Sequence, residues 1–131
     1  MPKAENGQTI LLIDDDVSIC KVAKRRLEQE GYRVRTAQDG NEGLKTAAAE
    51  LPDLILLDIM MPGIDGREVL RRLKADPRTA SIPVILLTVV GESEEIYASI
   101  TAGDAAYLAK PYDPQVLLDK IRSVLSKRAG S

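Results

Sequence analysis

The chain has 131 residues with a formal charge of -2, 18 basic and 20 acidic residues, one cysteine and no histidine. This length fits one domain with its own hydrophobic core, and the balanced charge predicts neither a broad basic face for nucleic acid nor a polybasic membrane anchor. The absence of histidine excludes Ser/His/Asp and Cys/His catalysis and His-ligated metals, and Cys20 alone cannot form an internal disulfide.

Five short apolar runs alternate with helical patterns along the chain. The predicted strands are Thr9 to Ile13, Tyr32 to Thr36, Leu54 to Leu57, Val84 to Leu87 and Ala106 to Ala109. The third and fourth runs are nearly unbroken Leu, Ile and Val, which indicates strands covered on both faces. The pattern therefore predicts an α/β fold with a parallel sheet flanked by helices.

Apolar residues at helical spacing predict the buried faces of the helices. One stripe is Ile19, Val22, Ala23 and Leu27, and another near the C-terminus is Leu117, Ile121 and Val124. Helix-end signals are Gly31 after the first helix, the capping-box pairs Asp39 with Glu42 and Asp65 with Glu68, and the pair Asp113-Pro114. A further helix is predicted from about Glu92 to Ala102.

The chain is predicted to be a single domain over residues 1–131. Its core is expected over about 9–125, with flexible ends at 1–7 and 126–131. The sequence contains no internal repeat and no linker, and it has neither a leader pattern nor a long apolar run. We therefore expect a cytoplasmic protein that does not contact the membrane.

Polar residues follow four of the five predicted strands. Asp14, Asp15 and Asp16 follow the first strand, Asp58 ends the third, Thr88 ends the fourth and Lys110 ends the fifth. In an open parallel sheet, ligands bind beyond the carboxyl ends of the strands. The sequence thus predicts a polar site at this edge.

The three consecutive acids allow two interpretations. A carboxylate before a helix that begins near Val17 can cap that helix, and capping explains one acid, Asp16. For Asp14 and Asp15 we favour a metal site. The charge of Asp58, at the end of an apolar strand, needs a nearby cation, and Lys110 and Mg²⁺ are natural partners.

A carboxylate such as Asp58 is also a competent nucleophile toward phosphorus and gives an acyl phosphate. Thr88 could be an ordinary β-branched strand residue, and Lys110 could be a surface lysine. Their shared position at strand ends favours instead a hydroxyl that binds a phosphoryl oxygen and an ammonium group that points at Asp58.

Four motifs together resemble the receiver domains of bacterial two-component response regulators, from about Thr9 to Leu125. They are ILLIDDD, PDLILLDIMMPGIDG, PVILLT and GDAAYLAKPYD. The resemblance implies a flavodoxin-like, doubly wound fold with strand order 2-1-3-4-5. It also implies a phosphoacceptor switch in a two-component system, with a histidine kinase or phosphotransfer protein as donor and a downstream effector or output domain as receiver.

The resemblance carries over to individual residues. Asp14 and Asp15 match the acidic pair that binds Mg²⁺, Asp58 matches the phosphoacceptor, Thr88 and Tyr107 match the switch residues, Lys110 matches the lysine of the site, and Met60 falls where a backbone carbonyl binds the metal. The implied protein is a signalling domain rather than an enzyme, although it catalyses its own phosphorylation and a slow dephosphorylation. Val89 and Asp104 depart from the usual pattern without removing a catalytic group.

Three other functions fit the sequence less well. The segment Asp14-x-Asp16 resembles the nucleophile motif of haloacid dehalogenase-type phosphatases, but the chain is short for that class and Asp58 would have no role. A degenerate receiver, acting only as an interaction module, would not need the full set of site residues. A flavodoxin-like cofactor binder lacks a phosphate loop after the first strand and has no Trp or Phe to stack a flavin.

Overall fold

The computed structural model describes residues 7–59, 61, 63, 66–89, 106–110 and 112–130. Its elements are β1 (Thr9–Ile13), α1 (Val17–Gln29), β2 (Arg33–Ala37), α2 (Gly40–Glu50), β3 (Leu54–Asp58), α3 (Gly66–Ala75), β4 (Val84–Val89), β5 (Ala106–Lys110) and α4 (Pro114–Gly130). All five predicted strands are present. The helix predicted from about Glu92 to Ala102 lies outside the described residues.

The five strands form one parallel sheet in the order β2-β1-β3-β4-β5. Strand order reverses after β1, because the chain passes first to β2 on one side and then to β3 on the other. This is the doubly wound arrangement, and it confirms the predicted α/β class and strand order. The site predicted from the sequence falls at the carboxyl edge of this sheet.

Alternate strand residues supply two separate cores, one on each face of the sheet. Ile10 and Leu12 belong to the core under α1 and α4, whereas Leu11 and Ile13 belong to the core under α2 and α3. Covering both faces explains why β3 is apolar at every position before its final residue. In the described part of the chain, no helix is both long and apolar enough to cross a bilayer.

The predicted stripe of α1 was wrong at one position. Val22 is 68% exposed, and the buried residues of α1 are Cys20, Ala23 and Leu27. Ile19 is half-buried. At 100° per residue, positions 20, 23 and 27 form a narrower stripe than the prediction assumed, and Val22 falls on its solvent side.

Side chains fix the starts of three helices where the sequence predicted caps. The carboxylate of Asp16 accepts from the Ile19 amide at 3.1 Å. Asp39 accepts from the Glu42 amide at 2.8 Å, and Asp113 accepts from the Gln115 amide at 2.7 Å. These bonds satisfy backbone donors that a helix leaves free in its first turn. The predicted cap at Asp65 lies outside the described residues.

Candidate functional site

The strand register places the predicted site residues along one edge of the sheet. Asp58 pairs with Leu87 of β4, and Leu87 pairs with Leu108 of β5. Thr88 therefore lies one position beyond this row, and Lys110 lies two positions beyond it. On the other side of β3, Ile13 pairs with Leu57, so Asp14, the next residue along the chain, lies at the same level as Asp58.

Three carboxylates meet at this edge. Asp14, Asp15 and Asp58 each offer an oxygen, and these oxygens all lie within 4.8 Å of one another. Asp14 is fully buried, Asp58 is 4% exposed, and Asp15 is exposed. We refer to these three residues as the acidic cluster. Their proximity concentrates carboxylate oxygens at this edge of the sheet, where like charges repel more strongly because water is partly excluded.

Asp14 is held by contacts at its amide, its carboxylate and its carbonyl. Its amide donates to the Ala37 carbonyl at 3.0 Å, which continues the pairing of β1 with β2. Its Oδ1 accepts from the Asp16 amide at 3.0 Å, an Asx turn that fixes the side chain. The buried thiol of Cys20 donates to its carbonyl oxygen at 3.4 Å. These three contacts fix the conformation of the β1–α1 junction.

The role of Cys20 was not predicted from the sequence. A buried cysteine usually behaves as a small apolar residue, and the position of Cys20 on the helical stripe does not indicate any contact with Asp14. Only the turn between β1 and α1 brings its sulfur to the Asp14 carbonyl. Asp16, by contrast, caps α1 as expected.

The first turn of α3 packs directly on the backbone of Asp58. The Gly66 amide donates to the Ile59 carbonyl at 2.9 Å, and a Cβ at position 66 would lie 2.5 Å from both the Asp58 carbonyl oxygen and the Ile59 Cα. No side chain fits that space without moving backbone. Gly66 therefore fixes the distance between α3 and the end of β3. The Ile59 amide, in turn, donates to the Leu87 carbonyl at 3.0 Å.

The other predicted site residues are described to different extents. Tyr107 lies on β5 and is 41% exposed, which fits a side chain at the surface. The register gives the backbone positions of Thr88 and Lys110, and the predicted contact of Lys110 with Asp58 stays a prediction. Met60, the predicted carbonyl ligand, lies outside the described residues.

A doubly wound sheet that carries a carboxylate cluster at its carboxyl edge defines a flavodoxin-like domain with a site suited to a cation. Residues 10–122 match the family model of the response regulator receiver domain. The chain belongs to this family, whose members are phosphoacceptor domains of two-component systems.

Known relatives agree with this assignment. The chain is 42% identical over 118 residues to the DNA-binding dual master transcriptional regulator RpaA of Synechocystis, a match that covers 90% of this chain and 49% of that protein. It is 42% identical over 115 residues to the response regulator PleD of Caulobacter vibrioides, covering 88% and 25% respectively. The chain thus spans half or less of these relatives.

Solved structures of single receiver domains match over nearly their full length. A CheY-like receiver domain protein from Methanospirillum hungatei is 36% identical with a TM-score of 0.83, covering 94% of this chain and 97% of that one. The chemotaxis protein CheY4 of Vibrio cholerae is 30% identical with a TM-score of 0.81, covering 89% and 98% respectively.

Proposed function

We propose that this chain is a phosphorylation switch in which Asp58 accepts a phosphoryl group from a histidine kinase or phosphotransfer protein. The observation that carries the proposal is the acidic cluster, in which Asp58 is almost buried and two further carboxylates lie within 4.8 Å of it. A purely structural carboxylate does not need two like charges beside it, because their mutual repulsion is unfavourable where water is excluded. A cation site at a nucleophile explains the arrangement.

The donor set of the acidic cluster fits Mg²⁺. This ion prefers hard oxygen ligands, and it usually binds one or two carboxylates together with water and phosphate oxygens. Asp14, Asp15 and Asp58 would hold it, with the Met60 carbonyl as the further ligand implied by the family. When bound, the ion neutralises the charge between the carboxylates and an anionic phosphodonor.

The proposed transfer is a displacement at phosphorus. A carboxylate oxygen of Asp58 forms the new P–O bond, and the bond from phosphorus to the donor breaks. The leaving group is the kinase imidazole, which departs with the bonding electrons and takes up a proton, or acetate in the case of acetyl phosphate. The backbone contacts of Gly66 and Ile59 keep the nucleophile in place for this attack.

We further propose that phosphorylation changes the surface around the predicted helix at about 92–102, β5 and α4. Thr88 would bind a phosphoryl oxygen and Lys110 would pair with the phosphate, while Tyr107 would turn inward from its exposed position. Both surface conformations exist before phosphorylation, and the phosphate shifts their populations.

The proposal also covers the extent of the domain, its place in the cell and its downstream partner. We propose that residues 1–131 are one receiver domain, that it works in the cytoplasm, and that it acts on a downstream effector or output domain rather than on nucleic acid directly. RpaA, a longer relative, is named as a DNA-binding transcriptional regulator, which is one kind of output that such a domain can be joined to.

The experiment that tests this function is covalent labelling by a small phosphodonor. Incubation with acetyl phosphate and Mg²⁺ should add one phosphoryl group, seen by intact-mass spectrometry, and borohydride reduction should convert Asp58 alone to homoserine. Chelation of the metal should prevent labelling. A label on another residue, or one that forms equally well without Mg²⁺, would contradict the proposal.

Mg²⁺ affinity should depend on Asp15 much more than on Asp16. Asp15→Ala removes one of three carboxylates from the acidic cluster, and we expect roughly tenfold weaker binding in a metal titration. Asp16→Ala removes a helix cap, so it should cost about 1 kcal/mol of stability with little change in metal affinity. Equal losses of affinity in the two variants would mean that the acids are misassigned.

Lys110→Ala should allow phosphorylation of Asp58 but prevent the surface change around Tyr107 that phosphorylation causes. The variant should still accept a phosphoryl group at Asp58, but the shifts in amide resonances around Tyr107 should largely disappear, because the ion pair that links phosphate to β5 is gone. Lys45→Ala, which changes an exposed lysine on α2, is the control and should retain the shifts. Intact shifts in Lys110→Ala would exclude the proposed role.

A further inference from the structure

A groove with a basic lining runs along β2 at the end of the sheet away from the acidic cluster. It lies between the C-terminal half of α1 and β2 and has a volume of about 1030 Å³. Five cationic side chains line it: Lys24, Arg25, Arg26, Arg33 and Arg35. All five are exposed, and we call this feature the basic groove. The balanced composition of the chain did not predict it.

The positive charge of the basic groove is only partly neutralised. Three carboxylates also line it, but Glu50 pairs with Arg35 at 2.8 Å and Glu30 pairs with Arg122, from outside the groove, at 2.7 Å. Within the part of the chain that the structure describes, Lys24, Arg25 and Arg26 form no salt bridge. The groove therefore attracts negatively charged partners.

The floor of the basic groove includes an open strand edge. In the described structure β2 pairs on one side only, with β1. The Arg33 amide donates to Gln8 and the Ala37 carbonyl accepts from Asp14, so residues 33, 35 and 37 direct their backbone groups toward β1. Because alternate residues of a parallel strand face opposite neighbours, Val34 and Thr36 direct theirs to the open edge.

Cations flank this open edge on both faces of the sheet. Val34 packs in the core under α1, and Ala37 packs in the core under α2 and α3. By alternation, Arg33 and Arg35 project on the α2 face, as the pairing of Arg35 with Glu50 of α2 also indicates. The cations of α1 lie on the opposite face. An added strand would meet positive charge on both of its sides.

We propose that the basic groove and the edge of β2 form a docking site for an acidic, extended peptide segment of a partner protein, bound by strand addition. Backbone pairing with Val34 and Thr36 would give affinity, and acidic side chains opposite Arg33 and Arg35 would give selectivity. This surface lies away from the carboxyl edge, so docking is independent of the phosphorylation of Asp58.

The charges around the basic groove argue against two other occupants, a second copy of the chain and a nucleic acid. A second copy of the chain, paired edge to edge, would bring Arg33 and Arg35 close to the same residues of its partner, and like charges in paired strands are destabilising. A nucleic acid would meet Glu28 among the cations of the groove. Protection of the edge from aggregation explains the two strand arginines, but it does not require the three cations on α1, which have no salt-bridge partner among the described residues.

The test is binding of a fluorescent peptide of roughly seven residues with alternating Glu and Val, a length that matches a typical strand. It should bind the native chain, and the double variant Arg33→Glu/Arg35→Glu should weaken binding at least about tenfold. Lys45→Glu makes the same kind of charge change on exposed α2 and should leave affinity unchanged. A peptide with Lys in place of Glu should not bind.

A second peptide separates strand addition from simple charge attraction. N-methylation at alternate residues removes backbone donors while keeping every side chain, and it should weaken binding about fivefold or more. Equal binding of the methylated peptide would overturn strand addition. The docking site itself would be overturned by equal affinity in the double variant, by tighter binding of a single-stranded oligonucleotide, or by a solution dimer that the double variant abolishes.

Discussion

Asp58→Asn is expected to reduce phosphoryl labelling to background while the fold is retained. Asparagine has nearly the volume of aspartate, and it replaces a buried charge with a neutral amide, so the packing at the end of β3 should survive. The amide nitrogen and oxygen are poor nucleophiles toward phosphorus, and the position also loses a metal ligand. Intact-mass spectrometry after treatment with acetyl phosphate and Mg²⁺ measures the loss, and circular dichroism checks the fold.

Asp14→Asn is the matched control for this variant. It removes the same charge from the same acidic cluster, yet it should still be labelled at Asp58, more slowly and at higher Mg²⁺ concentration. The comparison also decides between the receiver mechanism and a phosphatase-type mechanism, in which Asp14 would be the nucleophile. Labelling that survives in Asp58→Asn but is lost in Asp14→Asn would establish the second mechanism.

Gly66→Ala is expected to lower both stability and the rate of phosphorylation. The new Cβ would lie 2.5 Å from the Asp58 carbonyl oxygen and from the Ile59 Cα, and backbone atoms cannot rotate away as a side chain can. Relief of this overlap must move α3 or the end of β3, at a cost of about 2 kcal/mol. The displaced nucleophile should react about tenfold more slowly. Urea unfolding and the rate of labelling are the measurements.

Gly43→Ala provides the comparison within the same protein. Its Cβ would also meet an atom at 2.5 Å, the Cδ1 of Ile13, with the Cγ1 of the same residue at 2.9 Å, but these are side-chain atoms, which can move by a change of rotamer where backbone cannot. The gain in helix propensity, about 1 kcal/mol, offsets part of the repacking. We expect a net change below about 1 kcal/mol and a normal rate. If Gly43→Ala proves as damaging as Gly66→Ala, overpacking in general, rather than contact with Asp58, limits the site.

The fold could be predicted from the sequence because each strand is a short apolar run bounded by turn residues. The bounds of β1 were predicted correctly, while β2 begins one residue later than expected. Tyr32 is buried like a strand residue, but it belongs to the turn after α1, because its amide donates to the Leu27 carbonyl at 3.3 Å. An apolar residue that closes a helix cannot be distinguished by pattern from the first residue of a strand.

The acidic cluster was predictable for a topological reason. Parallel strands end at the same edge, so acids at the ends of β1 and β3 had to meet once the strand order was known. What the sequence could not give is how these residues are held. The contact of Cys20 with Asp14 and that of Gly66 with Asp58 both depend on the path of a connection between strand and helix.

The basic groove, unlike the acidic cluster, could not be predicted from the composition of the chain. The overall charge of the chain is -2, and acids and bases are mixed along it. Folding then separates them, because Glu50 and Arg122 come from distant parts of the chain and neutralise charges near β2, while the cations of α1 form no salt bridge with any other described residue. Composition averages over the surface, so it hides charge that is concentrated at one place.

Because Cys20 contacts Asp14, the reactivity of its thiol can report on opening of the β1–α1 junction. The thiol is 2% exposed and is the only one in the sequence, so alkylation by a thiol reagent requires the β1–α1 junction to open. The rate of that reaction measures how often the junction opens. A ligand that holds the acidic cluster together should therefore slow the reaction, so that occupancy of the site could be followed over time without an introduced label.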